Sequence, residues 1–569
     1  MNLLRFFSAN PVFFAPLPTS ERMSRWDSKA QELGLPGTVL MENAARSAFQ
    51  LLLKEFPDLG RRHCALLVGS GHNGGDAVAI GRYLLEAGIP VTAYLIKDAS
   101  SYRGACAEQL TLAQKLGLEL CDVKELLLGH RHCDLLLDGL LGTGFTKPLR
   151  QDLCELIQKL NALAIAKVIA IDIPSGLSAD TGQPEPVALA ASLTICMSAT
   201  KKGLVLPCAK PLTGKVVAVP IGLPGCVRDT LPADTYLMAH KFGRLSSSMP
   251  SNSYKNTYGH VGIIGGGDIS HTGAAHLAAR AALRAGAGLV SAIAKASTGE
   301  RITRDLAEIM LCSLKELADT WPKDIPQVLL ELFPRLSSLV IGPGMGLGED
   351  ARDFLALILS RRPRPPMVVD ADALMLLAQN PNLLCDLQDC DILTPHPGEA
   401  AALIGWTSKQ VQQDRYAALE SLTNLCPAVI VLKGAATLIG QKGVATLVSP
   451  WDIPSLAIGG AGDVLAGLLG ALVAQKQDMT CTLTKAFADS PQGEYVRSLY
   501  TSLSTDELCT QPHTPSEHFC DIPDQAVTLL LAALGVSRHA QAALALASRY
   551  PGRGALAHEL ADTLATLPC

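Results

Sequence analysis

Aromatic residues make up only 5% of this 569-residue chain and charged residues only 18%. With 48% hydrophobic residues, that is a globular composition with ample core material. Few aromatics beside 49 glycines fit α/β folds with many tight strand-to-helix turns. The basic residues are scattered and the net charge is -5, so no nucleic-acid partner is expected. No uninterrupted apolar run reaches the length that spans a bilayer, so no membrane partner is expected either. None of the 16 cysteines forms a C-x-x-C pair, and the closest two are Cys385 and Cys390. They read as buried small hydrophobes in a reducing compartment. Met1–Pro16, "MNLLRFFSANPVFFAP", lacks a small-residue cleavage site after an apolar core. A cytoplasmic protein is expected, with a short mitochondrial-type presequence as the alternative, and a homo-oligomer.

Length alone predicts three or four domains. The first half alternates strands and helices. Cys64–Val68 is a short buried strand followed by a glycine turn and a helix from Ala77 to Glu86. Asp134–Asp138 and Ala166–Ile171 are two more strands, and the pattern is that of a parallel sheet covered by helices. Residues 231–250 lose this periodicity and read as a linker behind a domain at 17–230, with 1–16 as an N-terminal extension. A second α/β series fills 251–569. His260–Ile264 runs into three glycines and a helix from Ala274 to Ala285. Further strands end at Ile341, Val369, Leu393 and Leu432. The glycine turns of the halves look alike, without a sustained repeat. At 476–525 the pattern gives way to Ser, Thr, Pro, Cys and His; His513 and His518 lack cysteine partners at ligand spacing, so a disordered insertion is expected there.

The turn "GSGHNGGDA" (Gly69 to Ala77) follows a strand and opens a helix, where free N–H groups favour an anion. It does not fit the G-x-G-x-x-G spacing of dinucleotide folds. Asp138 and Asp172 fall at the ends of parallel strands, the edge where open α/β sheets bind ligands. With Asn73 they converge on one crevice, and oxygen ligands of this kind suit a hard cation. Asp180 reads as a helix cap. In the second half, "IGGAGDVLAG" (Ile458 to Gly467) turns through glycines into an apolar helix. Such a turn suits a phosphate chain, which a carboxylate would only repel unless it served as base for an attacking hydroxyl.

"LMENAAR", "GSGHNGGDA", "DGLLGTG" and "DIPSGLSADTG", in this order, resemble the NAD(P)H-hydrate epimerase domain over roughly residues 17–224. The resemblance implies potassium bound through Asn73, Asp138 and Ser175, with Asp172 as acid/base beside the hydrated nicotinamide. The substrate would be lined by His72, Asn73, Gly74, Gly75 and Asp76, and by Gly142, Thr143, Gly144, Phe145, Thr146, Lys147 and Pro148. His72 and Ala77 stand where that family usually has Asn and Gly.

The G-x-G-D turn resembles the ribokinase-like superfamily. Joined to "SYKNTYGHVGIIGGG", "IGPGMG", "VVDADAL", "LTPHPGEAAALIG" and "VLKGAATLI", it is similar to the nucleotide-dependent NAD(P)H-hydrate dehydratase domain. The similarity covers about 251–474 and resumes near 532–568. It implies a nucleotide held by Lys433, Gly434, Ala435, Ala436 and Thr437. The turn Ile453, Pro454, Ser455, Leu456, Ala457, Ile458, Gly459, Gly460, Ala461 and Gly462 would complete that site, and Gly344, His396 and Asp463 would face the hydrate. Ile453, Ser455 and Ile458 replace residues that are usually Asn, Gly and Thr. Taken alone, His396 reads as a capped loop histidine; the motif reverses that.

The resemblances together imply a Rossmann-like epimerase domain followed by a ribokinase-like dehydratase domain. The substrates would be NADH and NADPH hydrates with ADP or ATP, and magnesium would accompany the nucleotide. The alternative is a ribokinase-like kinase of a vitamin alcohol fused to a non-catalytic Rossmann-like module.

Overall fold

The computed structural model describes residues 3–129, 133–145, 149–163, 165–245, 251–314, 319–488 and 522–567. They fall into two compact units rather than the three or four predicted from length. The physical reason is sheet size: each unit extends one sheet instead of dividing its core.

The first unit spans Pro16–Thr235. Its seven strands run in spatial order Glu119–Asp122, Val91–Leu95, Cys64–Val68, Leu135–Gly139, Lys167–Ile171, Leu193–Met197, Lys215–Val219, every pair parallel. The central strands are buried at every residue, as expected of a parallel sheet covered on both faces. Chain order reverses between Cys64–Val68 and Leu135–Gly139, and that switch point opens a crevice at the carboxyl ends of the strands.

The second unit gathers residues 3–15, 236–488 and 522–567. Its sheet has eleven strands. Val429–Leu432, Ile392–Leu393, Met367–Val369, Ser338–Ile341, His260–Ile264, Leu289–Lys295 and Ile309–Leu314 are mutually parallel. An antiparallel flap, Leu438–Gly440 and Thr446–Val448, extends one side. The helix Ala461–Ala474 is buried nearly throughout, which explains why it is apolar on every side. It lies so close to the helix Thr272–Arg284 that a Cβ at Gly467 would stand 2.0 Å from the Ala278 carbonyl oxygen. Glycine at 467 is therefore a packing requirement of this helix pair.

Three segments differ from the sequence reading. Residues 231–250, expected as linker, contain the strand Thr235–Met238, which joins the edge of the eleven-stranded sheet beside Phe14–Pro16. Residues 3–15 form a helix, Leu3–Ser8, whose phenylalanines are core. Phe7, Phe14 and Phe242 are fully buried, and Phe14 lies 5.1 to 6.4 Å from the rings of Phe7, Phe13, Phe242 and Phe487. At 476–525, Lys476–Ala488 is helical, and 489–521, with His513 and His518, lies outside the described residues. The helix Asp524–Arg549 is long and apolar enough by composition to cross a membrane, but its residues from Ala526 to Ser537 are interior.

Truncating Phe14 to Ala removes a fully buried ring from this aromatic cluster, and Phe/Trp→Ala changes in cores cost about 3–5 kcal/mol. We expect a clear fall in the melting temperature of the unit that carries Asp463, read by thermal denaturation together with loss of its activity. An unchanged melting temperature would mean that residues 3–15 only lie on the surface.

Candidate functional site

The switch-point crevice of the first unit is built on the helix His72–Glu86, which starts without a side-chain cap at Gly71. Its first N–H groups are therefore left for a ligand. Gly74 allows the turn to close, since a Cβ there would stand 1.9 Å from the Gly69 carbonyl oxygen. The methyl of Ala77 packs over Gly139, whose own Cβ would come within 2.5 Å of it, so the departure at 77 is absorbed by the glycine opposite. His72 is exposed at the helix start.

Asn73, Asp138 and Ser175 meet around Leu141. The Asn73 side-chain amide donates to the Leu141 carbonyl at 2.8 Å, and the Leu141 N–H donates to Ser175 Oγ at 2.9 Å. Fully buried Asp138 accepts from Ser175 N–H at 2.8 Å, Ser175 Oγ at 2.6 Å and Leu140 N–H at 3.2 Å. Burial pushes the Asp138 carboxyl up to about 6 in spite of these donors. Asn73 Oδ1 is buried with no hydrogen-bond partner. An orphaned amide oxygen beside a buried carboxyl and a hydroxyl is a donor set that fits a hard monovalent cation. Gly142 sits against Asn73, its Cβ position 3.2 Å from Asn73 Cβ. Thr143, Gly144 and Phe145 continue the rim, whereas Thr146, Lys147 and Pro148 lie outside the described residues. Asp180 accepts the Ser20 N–H at 2.9 Å and so caps the helix Ser20–Glu32 from another segment.

Asp172 ends the strand Lys167–Ile171 in the left-handed region, with φ of 68°. Its carboxylate accepts from Met197 N–H at 3.0 Å and forms a short ion pair with Lys201, a side chain with no exposure. Asp76 and Asp27 stand in the same electrostatic neighbourhood. Burial raises both carboxyls, Asp172 raises them further, and Lys201 opposes the rise. Sequence reasoning missed Lys201 and Asp27. The signal for Lys201 was its place in "ATKKGL", just beyond the strand Leu193–Met197.

In the second unit, Gly344, Asp370, Thr394, Lys433 and Asp463 gather at the carboxyl edge of the parallel strands. The helix Ala461–Ala474 starts at Gly460, with φ of 90° and no side-chain cap; the Ala461 N–H donates to the Ile458 carbonyl at 3.3 Å, which leaves those of Gly462 and Asp463 for an anion. Gly434, with φ of 136°, and Ala436, with φ of 49°, turn the Lys433–Thr437 segment through conformations that expose backbone, and the Ala436 N–H donates to the Trp451 carbonyl at 3.1 Å. Gly344 lies under the His271 segment, where a Cβ would come within 2.4 Å of the His271 carbonyl oxygen. Ile453, Ser455 and Ile458 are half-buried, and the Ser455 hydroxyl is buried with no partner. Pro454, Leu456, Ala457, Gly459 and Ala461 complete that turn.

The Lys433 ammonium reaches the end of the turn, 3.3 Å from where a Cβ on Gly462 would stand, and carboxylates hold it there. The ammonium lies 2.8 Å from Asp370 Oδ1, which also accepts from Thr394 Oγ1 at 2.7 Å, and 3.8 Å from Glu399 Oε2. Burial and Asp370 push the Asp463 carboxyl up to about 7, with Lys433 opposing. His396 caps the helix Pro397–Ile404: its Nδ1 accepts from Gly398 and Glu399 N–H, and the Glu399 carboxylate accepts the His396 N–H at 2.7 Å. Burial and Lys433 keep the His396 pKa below its usual value. Asp370 and Glu399 were inside quoted motifs, but nothing local distinguished them from caps.

Two strand-end crevices, each bringing acidic side chains beside a lysine, are the candidate sites of a two-unit α/β enzyme. The sequence matches the NAD(P)H-hydrate dehydratase family over residues 261–507 and the YjeF-related protein N-terminus family over 37–203. The bifunctional NAD(P)H-hydrate repair enzyme Nnr of Coxiella burnetii is 34% identical over 448 residues, covering 79% of this chain and 88% of that one. That of Moorella thermoacetica is also 34% identical, over 81% of this chain and 88% of its own, and that of Escherichia coli is 33% identical over 79% and 82%. The chain belongs to the family of bifunctional NAD(P)H-hydrate repair enzymes.

Proposed function

We infer that this chain restores hydrated NADH and NADPH. One unit interconverts the R and S hydrates, and the other dehydrates the S hydrate with ADP or ATP. The observation that carries the site assignment is Asp463: a half-buried carboxyl, pushed up to about 7 by desolvation and Asp370, standing in the first turn of a helix with no side-chain cap. That arrangement combines an anion-binding terminus with a base.

At the dehydration site, Asp463 takes the proton of the ring hydroxyl, and that oxygen attacks the terminal phosphoryl group of the nucleotide. Phosphate is a better leaving group than hydroxide. Its departure with loss of the neighbouring ring proton restores the double bond. The turn 453–462 and the segment 434–437 would hold the nucleotide by backbone N–H groups, and the unpartnered Ser455 hydroxyl supplies a further donor. Among the described residues, no group of three His, Cys, Asp or Glu side chains is arranged to hold a metal. Magnesium would therefore be carried mainly by the nucleotide's own phosphates. At the epimerisation site, Asp172, oriented by Lys201 and Met197 N–H, takes the hydroxyl proton as the ring carbon–nitrogen bond of the carbinolamine breaks, its electron pair staying on the nitrogen and leaving an aldehyde. The nitrogen re-adds to the other face of the carbonyl, and Asp172 returns the proton to the oxygen. Asn73, Asp138 and Ser175 would hold potassium, which supplies fixed positive charge at the crevice.

The test is incubation with hydrated NADH and ADP or ATP. Recovery of NADH absorbance with release of free phosphate is expected, whereas a stable phosphorylated product would mark a kinase instead. For the potassium reading, the expected result is that potassium raises the melting temperature of the wild type and leaves Asp138→Ala unmoved. The variant itself melts lower, since it strands the Ser175 donors at roughly 1–3 kcal/mol per unsatisfied group. An undiminished potassium effect in Asp138→Ala would remove the assignment.

A further inference from the structure

Lys433 follows the strand Val429–Leu432, and its backbone N–H is fixed to the Pro395 carbonyl at 2.9 Å. Its side chain, 18% exposed, turns inward. The ammonium reaches Asp370 at 2.8 Å and Glu399 at 3.8 Å, and it lies 3.3 Å from where a Cβ on Gly462 would stand, next to Asp463. A cation already engaged by carboxylates has little left to offer a nucleotide phosphate. Around Asp463 the remaining charges are negative: Asp370 and Asp372 press on it from the end of the strand Met367–Val369, while Glu399 faces the same ammonium from the helix Pro397–Ile404. The histidines do not offset them. Burial and Lys433 hold His396 below its usual pKa, and burial brings His539, on the helix Asp524–Arg549, down to about 4.

We propose that Lys433 is a positioning residue of the dehydration site, clamped to Asp370 and holding the Asp463 carboxyl ionised so that it can take the hydroxyl proton. The inference rests on Asp463 as base. It fits the directions of the titrations: burial and Asp370 drive Asp463 up to about 7 with Lys433 opposing, and burial likewise drives Glu399 up to about 7 against Lys433. Burial works against the lysine, but Asp370, Glu399 and Asp463 together raise its pKa.

The experiment is the pH profile of kcat for dehydration of the S hydrate, with ADP affinity measured by calorimetry. In Lys433→Met the acid limb should move up by about one pH unit or more, about a tenfold loss of ionised base below it, with ADP affinity unchanged. Lys433→Arg should keep the limb near its wild-type place. Asp370→Asn should move it to lower pH, the opposite direction, which a merely structural role would not produce. An unmoved limb with weakened ADP binding in Lys433→Met would make the lysine a nucleotide ligand and overturn the proposal. If Lys433→Met does not fold by circular dichroism, Asp370→Asn decides: a limb that stays or rises rejects it. Full turnover in Asp463→Asn would instead reject the base assignment itself, so the two failures are distinguishable.

Discussion

Asp463→Asn is expected to lower the rate of NADH recovery from the S hydrate by ~100- to 10,000-fold, the usual cost of losing a general base. Asparagine keeps the size and can sit in the first turn of the helix Ala461–Ala474, but it cannot accept the hydroxyl proton. Nucleotide affinity should hold or improve, because a negative charge beside the phosphates has gone. In the wild type, the raised pKa places the acid limb of kcat near pH 7: below it Asp463 is protonated and idle, above it the carboxylate is available. Calorimetric ADP and ATP binding beside the rate of NADH recovery checks both halves. Near-normal turnover in the variant would show that Asp463 only caps its helix.

Asp172→Asn should abolish R-to-S interconversion by a comparable ~100- to 10,000-fold, while dehydration of supplied S hydrate continues at the wild-type rate. Asparagine is preferred to alanine here because Lys201 is fully buried. Deleting the partner of a buried ammonium outright costs about 3–5 kcal/mol, whereas the amide oxygen can still accept from Lys201 and from Met197 N–H. Burial already raises Asp27 and Asp76, and each sits within the electrostatic reach of the same lysine. The checks are epimer ratios followed over time and the melting temperature of the variant. If S-hydrate dehydration falls in parallel in folded protein, the two reactions do not have separate sites.

How far the sequence led depends on the range of the interaction. The strand Cys64–Val68 was read with its observed limits, because a short apolar run bounded by a glycine turn is a local signal of a buried parallel strand. The helix after it starts at His72 rather than Ala77: its first turn is glycine-rich, and only the strand ends facing it make helix the favourable conformation. The separation of the chain into two α/β series, the placing of Asp138 and Asp172 at strand ends, and that of Asn73 and Asp463 in glycine turns that open helices, followed from periodicity and turn chemistry. These are properties of neighbours in sequence.

Tertiary structure alone decided what each carboxylate meets. Asp172 finds Lys201 at 29 residues' distance, and Lys433 finds Asp370 at 63, because parallel strands deliver their carboxyl ends to one edge. No spacing rule gives such pairs. The same holds for residues 3–15, an extension by composition that becomes core once Phe14 finds Phe242 and Phe487. Sequence alone set where polar groups and apolar faces occur along the chain. The fold set their dielectric surroundings and their partners, and a carboxyl at the end of a strand becomes a base only when burial and one nearby ammonium are balanced around it.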